Sequence, residues 1–110
     1  MSKIKIEYGK AEYTLEYNRQ SVKTMEAQGF VLDELTSKPM TMIPMLFAGA
    51  FIKNHSGTDG VKRKVIDEIF DNLADKNGLM EVLMELYAET LASLTDSNDG
   101  EGHATWARVN

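Results

Sequence analysis

The chain has 110 residues, 43% apolar and 26% charged, which suits one domain with its own core and leaves no room for two. It contains no cysteine, so disulfides, thiolate metal sites, cysteine nucleophiles and iron–sulfur clusters are excluded. A net charge of −5 argues against a nucleic-acid partner, and no apolar run approaches the ~18 residues that a membrane span needs.

The first segment alternates. Ile4, Ile6 and Tyr8 point one way, Lys3, Lys5 and Glu7 the other. After Gly9-Lys10 the alternation resumes, with Tyr13, Leu15 and Tyr17 against Glu12, Thr14 and Glu16. Two period-2 runs around a glycine-containing turn predict a β-hairpin over 3–17 with one apolar face. The charged alternation at the N-terminus is unlike a secretion signal, so a soluble intracellular protein is expected.

Asn18 is suited to cap a first helix over about 18–28, which puts Val22 and Met25 on one face. Gly29 is suited to close it, and Phe30 and Leu32 to tuck inward from a bent connector. Thr36-Ser37-Lys38-Pro39 is a helix start signal, with a hydroxyl cap and a proline in the first turn. The second helix, about 39–54, is apolar almost all round, so it is either central to the core or faces a partner. Pro44 should disturb its first turns. A third, amphipathic helix is expected over about 60–75, capped by Thr58 or Asp59 and stopped at Lys76-Asn77-Gly78. A leucine-rich fourth helix follows over about 79–94. Residues 96–110 read as a flexible acidic tail, with Trp106 as the side chain able to dock on an apolar groove.

The expected fold class is therefore α+β and mainly helical: an N-terminal two-stranded antiparallel hairpin packed on three to four helices, all within a single domain at 1–95. The expected core is Ile4, Ile6, Leu15, Val22, Met25, Phe30, Leu46, Val65, Ile69, Leu73, Leu83 and Leu86.

Site chemistry is sparse. His55 and His103 fall in predicted loops far apart in the chain and read as solvated residues rather than ligands or catalysts. A calcium-loop reading from Asp96 fails, because position five is Gly100 and position twelve is Ala107. Asn54-His55-Ser56 has glycosylation spacing, which means nothing without a secretion signal. Asp67, Glu68, Asp71 and Asp75 line one side of the third helix, partly paired with Arg63 and Lys64 at four-residue spacing. No catalytic, metal or cofactor site emerges, and a non-enzymatic protein is expected. What remains is an excess of adaptable apolar side chains, which suit a surface that must fit more than one partner shape. Met40, Met42, Met45, Phe47 and Phe51 on the second helix, with Met80, Met84 and Tyr87 on the fourth, form a pool of candidate protein-binding residues shared with the core.

The order of elements, with Tyr13-Thr-Leu-Glu-Tyr17, the run from Asn18 to Gly29-Phe30, and Leu46-Phe-Ala-Gly-Ala50, resembles the tail assembly chaperones of long-tailed bacteriophages and prophages of Gram-positive hosts. The resemblance covers roughly residues 3–95. It implies a chaperone that binds the tape-measure protein and keeps it soluble and competent for tail tube polymerisation. The tail tube protein is a second implied partner, and self-association is left open. It also implies action in the host bacterial cytoplasm and absence from the mature virion. Two further classes stay open: a structural virion component, such as a head–tail connector or tail subunit, and a regulatory protein-binding module.

Overall fold

In the computed structural model, which describes residues 3–55, 60–95, 104 and 106–109, the chain turns back on itself at once. Strand β1 (Ile4–Tyr8) pairs antiparallel with β2 (Ala11–Leu15), with Ile4 opposite Leu15 and Ile6 opposite Tyr13. The two-residue loop has a positive φ at Gly9 alone, the pattern of a type II′ turn, whose twist matches that of the strands. Four α-helices follow: α1 (Arg19–Ala27), α2 (Pro39–Gly49), α3 (Arg63–Asp71) and α4 (Lys76–Ala92), with a short 3₁₀ turn at Leu32–Glu34. The fold is α+β, a hairpin followed by helices. Among the described residues no helix is long and apolar enough to cross a membrane.

Helix α1 is fixed at both ends. Asn18 Oδ1 accepts from the Ser21 amide at 2.7 Å, and Ser21 Oγ accepts from the Asn18 amide at 2.9 Å, a reciprocal capping box. At the other end Gly29, at φ +100°, donates to the Glu26 carbonyl while Phe30 donates to the Met25 carbonyl. This is a Schellman motif, and Phe30 and Met25 bury together beneath it. Arg19 ties the start of α1 to the end of α4, donating to the Ser93 carbonyl at 2.6 Å.

Other boundaries differ from expectation. Helix α2 starts with Pro39 in its first turn, but Lys38 precedes it without a side-chain cap, so the hydroxyls of Thr36 and Ser37 do not serve. Pro44 lies within α2 without ending it. The helix stops at Gly49, well before residue 54, because three successive i→i+3 bonds from Ala50, Phe51 and Ile52 tighten the chain. That tightening turns the Ala50 carbonyl toward the hairpin. Helix α3 starts at Arg63 behind an uncapped Lys62, while Thr58 and Asp59, the expected caps, lie outside the described residues. It ends at Asp71, where Asn72 Nδ2 donates to the Glu68 carbonyl at 2.8 Å. Lys76, Asn77 and Gly78 do not stop α3; they form the first turn of α4, because the Asp75 carboxylate accepts the Gly78 amide at 3.1 Å.

Eight of the twelve expected core residues are buried, including Leu15, Met25, Leu46 and Leu83. Ile4, Ile6, Val65 and Leu73 pack against the core but stay half-exposed. For Ile4 and Ile6 the reason is position, because β1 lies outboard of β2 in a sheet of two strands. Aromatic contacts knit the centre. Tyr17 meets Tyr87 edge-on at 5.5 Å, Tyr87 meets Phe30 at 5.1 Å, and Phe47 meets Phe51 at 5.2 Å. The buried Tyr17 hydroxyl donates to the Leu46 carbonyl at 2.6 Å, and burial raises its pKa.

His55 is not a solvated loop residue. Its Nε2 accepts from the Thr14 amide of β2 at 2.9 Å, and its ring stands edge-on to Tyr13. Asn54 Nδ2 donates to the Thr14 carbonyl at 3.3 Å, and the Glu16 amide donates to the Ala50 carbonyl at 3.1 Å. His103, the calcium-loop positions from Asp96 to Gly100, and all of the expected flexible tail at 96–110 except residues 104 and 106–109 lie outside the described residues. Trp106 is 89% exposed and is not docked on the domain.

Two outcomes follow for stability. Nothing lies within 4 Å of where a Gly29 side chain would begin, so Gly29→Val meets only backbone strain. It should cost about 1–2 kcal/mol, read as a lower urea midpoint. The Glu16 carboxylate, in a residue only 7% exposed, accepts from Asn54 Nδ2 at 3.0 Å and pairs with Lys53 Nζ at 2.9 Å. These two bonds, Asn54 first, hold its pKa below the ordinary value. A pKa depressed by folding adds stability above the unfolded value of about 4.3, and that stability is lost as the pH falls through the folded value. Glu16→Gln should therefore be destabilising at pH 7, and the gap from wild type should narrow toward pH 3 in parallel urea titrations.

Candidate partner-binding cleft

An all-apolar helix cannot bury every face in a small domain. Helix α2 packs against α1, α3 and α4. Met42, Leu46 and Phe47 point into the core. The flank bearing Pro39, Met40, Ile43 and Pro44 is left beside α3, where it forms a cleft of about 500 Å³ with Arg63, Asp67, Phe70 and Asp71. Residues at i, i+3 and i+4 share a helix face, so Met40, Ile43 and Pro44 make one apolar wall. Met40, at the lip, is 89% exposed.

Phe70 links the cleft to the core. Its ring centroid lies 5.3 Å from that of Phe47, and Lys76 Nζ stands 5.7 Å from the Phe70 ring on the solvent side. The rim carries both signs of charge. Arg63 Nε pairs with Asp67 Oδ1 at 3.0 Å, and both side chains are more than half exposed, so the pair adds little stability. A second cleft of about 400 Å³ lies beside Arg63, lined by Met45, Ala48, Gly49 and Ile52 on one side and Val61 and Ile66 on the other, with Gln28 at its margin.

The eight candidate binding residues separate clearly. Met42, Phe47, Phe51, Met80 and Tyr87 are buried in the domain's own core, although Tyr87 also lines a cleft of about 250 Å³ with Phe30, Val31 and Leu91. Met40 lines the first cleft and the half-buried Met45 the second. Met84 is 36% exposed on α4 and belongs to neither. Ile43, Pro44 and Phe70 were absent from the sequence-based pool. The spacing of Met40, Ile43 and Pro44 was the signal available for the first two, whereas Phe70 belonged to the apolar stripe of α3 and gave no sign of facing outward.

The cleft sets its apolar wall beside the Asp67 and Asp71 carboxylates, with Asp67 held in the ion pair to Arg63. Among the described residues no group of three or more histidines and carboxylates could hold a metal ion. The carboxylates of α3 sit on its exposed side, in line with their reading as a solvated helix face.

No curated protein and no solved structure matches the chain. One family model does, described as a domain of unknown function and designated DUF5055, and it matches residues 1–109. With nearly every residue covered, from the hairpin through the four helices, the chain belongs to the DUF5055 family.

Proposed function

We propose that the protein is a non-enzymatic tail assembly chaperone that holds apolar helical segments of a phage tape-measure protein in the cleft between α2 and α3. The observation that carries this reading is the apolar wall of Met40, Ile43 and Pro44 facing Phe70, left uncovered in a domain whose other large apolar side chains on α2 are mostly buried. A cleft of this size takes a few side chains of a partner helix, as helix-in-groove recognition requires. Flexible Met40 can adapt to different residues, while the proline rings and Phe70 supply fixed surface. Both signs of charge on the rim suit a partner with mixed charge between its apolar anchors.

Each contact of this kind is weak, because little apolar area is buried against the cost of association. Repetition along one long partner converts weak contacts into a coat that can still be removed. The net charge of −5 keeps the unbound protein soluble against non-specific clustering of its apolar surface. The setting for this activity is the host bacterial cytoplasm, before the tail tube polymerises, and the chaperone leaves before the virion is complete.

The test is co-expression with a tape-measure protein from the same phage or prophage. The chaperone should co-purify with it and raise its soluble yield. Met40→Asp should leave stability within about 0.5 kcal/mol, since the side chain is exposed. It should nevertheless weaken binding about tenfold, the equivalent of losing ~1.4 kcal/mol of apolar burial. Met42→Asp, two residues along and facing the core, should instead unfold the domain. If the two proteins neither co-purify nor affect each other's solubility, the proposal fails.

A further inference from the structure

The hairpin has two edges, and the rest of the chain binds along only one of them. On β2 the outward groups of Thr14 and the Glu16 amide are taken: the Thr14 amide by His55, the Thr14 carbonyl by Asn54, and the Glu16 amide by the Ala50 carbonyl. Thr14 stands opposite Lys5. Opposed residues in an antiparallel ladder turn their backbone groups either both inward or both outward. The outward Thr14 therefore makes Lys5 outward too, and with it Glu7, two residues along the same strand. Among the described residues no hydrogen bond reaches this outer side of β1. An unpaired edge of this kind is a template for another strand.

Charge on the exposed face identifies the strand. Lys5 pairs with Glu12 across the hairpin at 3.4 Å. Glu7, however, lies directly opposite Glu12, a like-charge pair that works against the hairpin. No ion pair to Glu7 occurs among the described residues. The monomer thus has an open backbone edge with an uncompensated carboxylate beside it and a lysine two residues away.

We propose that two copies of the chain pair through their β1 edges, antiparallel about a two-fold axis at Ile6, to form one continuous four-stranded sheet. In this register Lys5 of each copy lies opposite Glu7 of the other, so Glu7 gains the basic neighbour that its own hairpin lacks. Moving the axis to Lys5 would set Lys5 against Lys5, and moving it to Glu7 would set Glu7 against Glu7. Within the strand Ile4–Tyr8, the register centred on Ile6 is the one that opposes unlike charges and no like ones. On the apolar face it sets Ile6 against Ile6 and Ile4 against Tyr8, three side chains that stay half-exposed in the single chain. The pairing uses none of the residues of the α2–α3 cleft and is independent of the function proposed for it.

Sedimentation equilibrium of the full chain, from micromolar to near-millimolar concentration, tests the pairing. The expected result is a reversible monomer–dimer equilibrium. Glu7→Lys sets lysine against lysine between copies while relieving the clash with Glu12 within each hairpin. It should weaken dimerisation about tenfold or more and at the same time raise the urea midpoint of the monomer. Lys5→Glu combined with Glu7→Lys should restore dimerisation. Lys5→Pro removes an outward amide, which the hairpin does not use, and should abolish dimerisation without unfolding the domain. A chain that stays monomeric throughout overturns the proposal, as does a dimer that Glu7→Lys leaves unchanged.

Discussion

A two-stranded hairpin is marginal in water, and here its stability rests on the segment that follows α2. Ala50, Lys53, Asn54 and His55 bind β2 and its extension at four points along the outer edge, from the Thr14 amide to the Glu16 carboxylate. The geometry depends on α2 tightening at its end, because a regular continuation would keep the Ala50 carbonyl inside the helix. Once β2 is held, Leu15 and Tyr17 enter the core, and the Tyr17 hydroxyl closes on the Leu46 carbonyl. Hairpin and helices therefore share one core through α2. The same arrangement that holds β2 at Thr14 and Glu16 leaves β1 outboard and its edge open.

Much of this was legible in the sequence because the relevant signals were local. Alternation around Gly9-Lys10 specified the hairpin, and Asn18 and Gly29 specified the two ends of α1, since each acts through hydrogen bonds within a few residues of itself. The boundary between α3 and α4 was misread because Lys76-Asn77-Gly78 looks like a stop signal in isolation. The Asp75 carboxylate decides otherwise by accepting the Gly78 amide and making that glycine part of a first turn. His55 was misread for a different reason. Its partner is the Thr14 amide, 41 residues earlier, and no local pattern reveals such a pairing.

The candidate site was only partly legible, and α2 explains why. A helix apolar on every side carries no periodicity to distinguish a core face from a partner face. Met40 and Met42 are equivalent as sequence, yet one is 89% exposed and the other is buried. The difference arises from where α3 lands on α2. Arg63, Asp67, Phe70 and Asp71 approach one flank without covering it, and the rest of the helix closes against α1 and α4. An apolar recess produced by the crossing of two helices is a property of the packing, and the residues that line it acquire their role from the neighbours they lack.

The central claim is that this recess is where a partner helix binds, and the methionines provide the means of testing it. Six of the seven methionines fall among the described residues, and they are spread over the core, the two clefts and the outer face of α4. Methyl-labelled protein titrated with an apolar helical segment of a tape-measure protein should show the Met40 resonance shifting most and Met45 to a lesser degree. Met84, on a different surface, should stay in place. Shifts confined to Met84, or a segment that binds without moving Met40, would contradict the account.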